Sequence, residues 1–126
     1  MTRPAVTVFV WGLYDYLVAA TLVLAPGLFG LLGMPTDDLV WIRIAAALAA
    51  VIGTAFVHAA RTENTAFFRA SVSIRFAAGA YFTALVVLTG APIILLAFTF
   101  VEFAGAAWTG FALRGLQPTK RIPAAS

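Results

Sequence analysis

Four long apolar stretches alternate with short segments that contain polar residues, proline or glycine; the stretches cover residues 5–25, 39–61, 65–90 and 92–114. A helix needs about 20 mostly apolar residues to cross the hydrocarbon core of a bilayer. The pattern therefore predicts an all-α fold, an integral membrane four-helix bundle. We expect one domain over residues 1–126, with a disordered tail at 115–126.

Proline, glycine and capping residues mark the expected helix boundaries. Pro4 suits a first turn, Pro26 ends the first helix, and Pro92 is placed where the fourth should begin. Residues 36–38 offer caps for the second helix. The connections at 62–64 and 90–91 are very short, which predicts that the second and third helices, and the third and fourth, are antiparallel neighbours.

Charge distribution predicts the orientation. Most lysines and arginines lie near the N-terminus, the second connection and the C-terminal tail, whereas the first connection carries Asp37 and Asp38. Positive charge is enriched on the cytoplasmic side of membrane proteins. We therefore expect an N-in/C-in, multi-pass protein of the cell (inner) membrane, with both termini cytoplasmic and the lipid bilayer as its partner.

Composition excludes several kinds of site. The chain is 63% hydrophobic and 10% charged, with no cysteine and one histidine, so it has no disulfide or thiolate ligand and no histidine cage. We expect no metal site. The net charge of +3 is spread among helix ends and the tail, which predicts no nucleic-acid partner. No catalytic motif is present, so we lean against an enzyme.

Three ionisable residues interrupt the apolar helices. At about 1.5 Å per residue, Asp15 and Arg75 lie roughly 15 Å, and Glu102 roughly 18 Å, from the cytoplasmic ends of their helices. They share one layer, in which we expect Arg75 to bridge the two carboxylates. Charges within membranes usually face the bundle interior. A proton- or ligand-binding site and a structural ion-pair network are equally favoured.

Other residues are assigned around this layer. Arg43 is a second cation expected to point inward, or to snorkel outward, and Trp11 can donate its indole N–H to the layer. His58 and Arg69 are candidates for an inner gate. Residues on one face of each helix support an inward direction: Trp11, Gly12, Asp15 and Ala19; Ser71, Arg75 and Gly79; Thr99, Glu102, Ala106 and Thr109.

Two segments are interpreted mainly as packing elements. The second helix has a face of mostly small residues, which lets helices approach closely in lipid. Residues 26–35 form an apolar segment broken by proline and glycine, which we expect to lie flat in the outer interface. It is either a lid over an outward-opening cavity or, as we favour, a segment that packs over helix ends.

These features resemble the DoxX-like group of small four-helix bacterial membrane proteins. The resembling residues are PGLFGLLGMP after the first helix, WIRIAAALAAVIGTAFVHAAR in the second, and Arg75 and Glu102. Some members of that group are associated with redox or thiosulfate-oxidising complexes, and its fold is distantly similar to membrane sterol isomerases. With no cysteine or cofactor motif here, the resemblance implies an accessory subunit or a hydrophobic-ligand binder.

Three functions follow, in order of preference. The first is a binding or accessory subunit, within a membrane complex or homo-oligomer, that holds a lipid- or quinone-like molecule with its polar end at Asp15, Arg75 and Glu102. The second is a small proton-coupled transporter, with water reaching a carboxylate from both sides. The third is an isomerase that uses the carboxylates as acid and base. We expect no cofactor beyond a bound lipid or quinone.

Overall fold

The computed structural model describes residues 1–115, and the tail predicted to be disordered lies almost entirely outside them. The helices are α1 (Arg3–Leu24), α2 (Gly27–Leu31), α3 (Leu39–Arg61), α4 (Thr65–Thr89) and α5 (Leu95–Arg114). Residues 1–115 contain no strand. The four long helices are all long and apolar enough to cross a membrane. The predicted all-α architecture with four such helices is confirmed.

Local chemistry accounts for most boundaries. The Asp38 side chain accepts hydrogen bonds from the backbone N–H groups of Val40 and Trp41 and so caps α3. Asn64 caps α4 in the same way. Gly90 ends α4 with φ of 69°, a left-handed conformation that glycine adopts without steric cost.

One helix boundary differs from the prediction, and one short helix was not predicted. The fourth long helix begins at Leu95 rather than Pro92, because residues 92–97 first form tight turns, including Leu95 N–H to Pro92 C=O. Proline also disfavours helical geometry in the residue before it. In the first connection, α2 is a short helix that the sequence pattern did not indicate.

The long helices pack as two antiparallel pairs, α1 with α3 and α4 with α5, and the pairs join mainly where α1 meets α5. The predicted pairing of α4 with α5 is confirmed. The predicted pairing of α3 with α4 was largely wrong, since these helices have little contact beyond Phe56 of α3 against Phe67 and Arg75 of α4. Gly12 and Gly53 explain this, because their backbones meet and hold α3 close to α1.

The bundle has two distinct ends. At the terminal end lie Arg3, the turn at 62–64 and Arg114, and there Glu63 accepts hydrogen bonds from the Thr2 backbone N–H (2.9 Å) and hydroxyl (2.7 Å). At the α2 end, Phe29 stacks on Phe98 of α5, with ring centroids 6.3 Å apart. We call the corresponding parts of the bundle the terminal half and the α2 half.

Candidate functional site

The terminal half is closely packed around Arg75, whose side chain is only 2% exposed. Its Nη2 donates hydrogen bonds to the hydroxyls of Ser71 and Thr109, both at 3.3 Å. The guanidinium carbon lies 4.6 Å from the ring centroid of Trp11 and 5.1 Å from that of Phe56. Arg75 therefore lies between two aromatic faces, an arrangement that favours a cation.

Hydroxyl groups extend this polar contact to α1. Thr7 and Thr109 share a hydrogen bond of 2.8 Å, and Thr7 also donates to the Pro4 carbonyl. Thr7, Thr109 and Ser71 are at most 2% exposed. A continuous buried network therefore connects α1, α4 and α5 through Arg75.

The predicted bridge from Arg75 to the two carboxylates was wrong. No hydrogen bond joins Arg75 to Asp15 or Glu102 in residues 1–115, and its Nε and Nη1 have no hydrogen-bond partner there. Side chains lean toward the N-terminus of their own helix. Because α4 starts at the terminal end and α5 at the α2 end, Arg75 and Glu102 lean in opposite directions.

A cavity of about 800 Å³ occupies the α2 half. Its wall is overwhelmingly apolar, and Leu48 and Ile52 on that wall are about half exposed, which leaves the cavity open toward the side of the bundle. The lining residues come from all five helices and the first connection: Tyr14, Asp15, Val18, Leu22, Phe29, Met34, Pro35, Thr36, Asp37, Asp38, Trp41, Ile42, Ala45, Leu48, Ala49, Ile52, Phe82, Leu95, Phe98 and Glu102.

Asp15 and Glu102 both line this cavity, at its deepest level. Each lies twelve residues, about 18 Å, from the terminal end of its helix. The buried oxygens Asp15 Oδ2 and Glu102 Oε2 have no hydrogen-bond partner within residues 1–115. Arg75 and the two carboxylates are near enough to interact electrostatically. The structure thus brings the carboxylates to one cavity and places the guanidinium beneath them.

The predicted inward stripes are confirmed. In α1, Trp11, Gly12 and Ala19 are buried and Asp15 is partly buried; in α4 and α5 the other predicted positions are buried as well, with Glu102 partly so. Trp11 is a neighbour of the site as predicted. Its contribution is the ring face under Arg75, not the indole N–H that we expected to donate.

Three further candidates do not join the site. Arg43 is exposed and does not line the cavity, so of its two predicted alternatives, inward or outward, the structure agrees with the outward one. It lies near the α2 end of α3, where a long side chain can snorkel outward. His58 and Arg69 are also exposed and do not line the cavity; His58 borders a shallow groove on the outside of α3. The predicted inner gate receives no support.

Sequence reasoning missed other members of the site. Thr7 precedes Trp11 and Asp15 at a spacing of four, so periodicity on α1 could have found it. Phe56 carries no such signal, because it is one apolar residue among many in α3. The first connection, favoured as simple packing over helix ends, contributes Phe29, Met34 and Thr36 to the cavity wall.

Within residues 1–115, no three histidine, aspartate or glutamate side chains are grouped so as to hold a metal ion. Comparison with known proteins gives no independent assignment. No protein-family model matches the chain, and searches of curated proteins and of solved structures found no match.

Proposed function

We propose that this protein is a binding or accessory protein of the cell (inner) membrane that holds a hydrophobic, lipid-like molecule in the cavity of the α2 half. The polar end of the ligand contacts Asp15 and Glu102. The observation behind the proposal is an apolar cavity of about 800 Å³ that is lined by two carboxylates. Each of them has a buried oxygen with no hydrogen-bond partner within residues 1–115. Ligand pockets are typically about 300–1,000 Å³, mostly apolar, with a few convergent polar groups.

Lateral access also favours a ligand that partitions into the bilayer. The gap beside α3 exposes Leu48 and Ile52 at the side of the bundle, where lipid chains would meet a spanning helix. Arg75 takes no direct part in this binding, because its contacts lie in the terminal half. Its role is to join α1, α4 and α5 below the cavity.

Transport is the less supported function. A proton pathway through the bundle needs water access to a carboxylate from both ends. Below Asp15 and Glu102, however, Val8, Trp11, Phe56 and Phe68 are buried and close-packed. An isomerase that uses the carboxylate pair remains a second candidate, favoured only by the presence of both groups at one apolar wall.

The binding test is native mass spectrometry of the detergent-purified protein. We compare the wild type with Ala49→Phe, which places a ring in the cavity, and with Ala47→Phe, a matched change on the exposed side of α3. A co-purified amphiphile should be present in the wild type and Ala47→Phe and absent from Ala49→Phe. Equal occupancy of all three, or no bound species in any, contradicts the proposal.

The proposed N-in/C-in orientation has its own test. The chain contains no cysteine, so single cysteines at Thr36 and Thr62 can be labelled selectively in intact cells. With both termini cytoplasmic, an impermeant maleimide should label the Thr36→Cys variant and leave the Thr62→Cys variant unlabelled until the cells are lysed. The opposite pattern would reverse the orientation.

The resemblance to the DoxX-like group fits this proposal, since it implies an accessory subunit or hydrophobic-ligand binder. A membrane complex or homo-oligomer is proposed as the setting. Large apolar side chains on the outer faces of the helices, among them Leu17 and Phe100, supply the surface that lipid or a partner helix would cover.

A further inference from the structure

All charged side chains that line the cavity carry the same sign. Asp15 and Glu102 lie toward the terminal half and Asp37 and Asp38 in the first connection, and no lysine, arginine or histidine is among the lining residues. The remaining lining side chains are overwhelmingly apolar. An apolar site with only acidic groups is electrostatically complementary to a cation.

The protein's own cations do not neutralise this cavity directly. Arg75 directs Nη2 to Ser71 and Thr109 and lies against the rings of Trp11 and Phe56, with the deep carboxylates left without a hydrogen bond from it. Arg43, near the start of α3, is exposed and does not line the cavity. The two deep carboxylates and one nearby guanidinium leave a formal charge of one negative unit when both are ionised.

We infer that the ligand carries a cationic, hydrogen-bond-donating head, so that the cavity selects lipophilic amines over neutral or anionic amphiphiles of the same tail. An ammonium head placed between Asp15 and Glu102 supplies the missing positive charge and donates to these two carboxylates, which line the cavity. The apolar wall takes the tail. This inference rests on the proposed function and adds the chemical class of the ligand.

The cavity is long enough for such a molecule. From Trp41 to Ile52 the wall follows eleven residue steps of α3, about 16.5 Å of helix at 1.5 Å per residue. Tyr14 lines the cavity beside Asp15 and presents an aromatic ring at the level of the head. Aromatic faces also attract alkylammonium groups, and more strongly when the site is desolvated.

The experiment is a titration of the full-length protein in nonionic detergent with three probes that share one tail: dodecylamine, dodecanol and dodecanoate. Binding is followed by native mass spectrometry and by calorimetry at neutral pH. Wild-type protein should bind the amine at least about tenfold more tightly than the alcohol, since charges interact strongly away from water. The fatty acid should bind most weakly.

Neutral variants locate the effect. Asp15→Asn combined with Glu102→Gln keeps the side-chain shapes and should abolish the preference for the amine, while dodecanol binding stays within about twofold. Asp37→Asn, in the first connection, should keep most of the preference. Circular dichroism confirms that each variant remains helical before it is scored.

The outcomes separate this inference from the proposed function. If amine and alcohol bind equally, and the double variant changes neither, the cation inference is wrong although the cavity binds apolar tails. The same holds if the fatty acid binds best. If no probe binds the wild type, or Ala49→Phe binds all three as the wild type does, the proposed function itself is contradicted.

Discussion

In the terminal half, Arg75 is only 2% exposed and lies among two aromatic rings and two hydroxyls. In the α2 half, Asp15 and Glu102 line a cavity, and one buried oxygen of each carboxylate has no hydrogen-bond partner within residues 1–115. Both halves bury charge within helices able to cross a membrane. The guanidinium has close contacts from three other helices and so contributes to packing. The carboxylates lack such contacts, which is the arrangement expected of groups kept for a ligand.

The largest expected effect comes from removing the guanidinium. Arg75→Ala leaves a hole between Trp11 and Phe56, and the hydroxyls of Ser71 and Thr109 lose the hydrogen bonds that Arg75 donates to them. We expect a loss of about 2–4 kcal/mol in the free energy of unfolding. Arg43→Ala removes the same group from an exposed position and is the matched control. Thermal unfolding in detergent measures both. Equal melting temperatures for the two variants would show that Arg75 does not organise the terminal half.

The next effect tests how tightly that half is packed. A Cβ added at Gly105 would overlap the Trp11 ring, coming within 2.6 Å of Cε3. Since Trp11 is held by Arg75 on its ring face, Gly105→Ala should cost about 1–3 kcal/mol. Gly110→Ala on the same helix meets only Val72, at 3.9 Å, and should be neutral or stabilising. A stable Gly105→Ala protein would mean that Trp11 moves freely.

Neutralising the cavity carboxylates should change stability much less. Asp15→Asn with Glu102→Gln removes no hydrogen bond from their buried oxygens, so we expect at most about 1 kcal/mol of lost stability. The measurement is the melting temperature of the double variant beside that of Arg75→Ala. If the double variant is the less stable of the two, the carboxylates are structural and the contrast between the halves disappears.

The smallest effect concerns the tie between Thr2 and Glu63 at the terminal end. Hydrogen bonds from the Thr2 hydroxyl and backbone N–H lower the pKa of the Glu63 carboxyl below its usual value of 4.5. A lowered pKa in the folded state stabilises the protein above the unfolded pKa, and this contribution is lost as the pH falls through the folded value. Glu63→Gln should therefore weaken the tie at neutral pH.

Hydrogen exchange of the turn at 62–64 measures this tie. The wild type should lose protection there as the pH falls below the usual pKa of a glutamate carboxyl, whereas Glu63→Gln should begin with less protection and change little with pH. The same pH dependence in both proteins would show that another group titrates.

Much of this architecture could be predicted from hydropathy. The span and polarity of the four long helices follow from residue type, and a spacing of three to four placed Trp11, Asp15, Ser71, Arg75, Glu102 and Thr109 on inward faces. Depth along a helix also put the charges in one layer. These predictions needed only helical periodicity and rise per residue.

The side-chain contacts of Arg75 and the packing of α3 against its neighbours could not be predicted in the same way. The reach of Arg75 to Ser71 and Thr109 depends on the direction in which side chains lean along antiparallel helices, and layer depth ignores that direction. The separation of α3 from α4 depends on the contact of Gly12 with Gly53, which competes with the short turn at 62–64. The cavity is lined by residues of all five helices and the first connection, so no single segment encodes it.

The most direct test of the central claim is photo-crosslinking in liposomes with a dodecyl diazirine, with the labelled residues mapped by mass spectrometry. We expect label on Val18, Leu48 and Phe98 in the cavity, and its loss from these positions in Ala49→Phe. Label spread evenly over outer-face residues such as Leu17 and Phe100, unchanged by Ala49→Phe, would contradict a ligand-binding cavity in the α2 half.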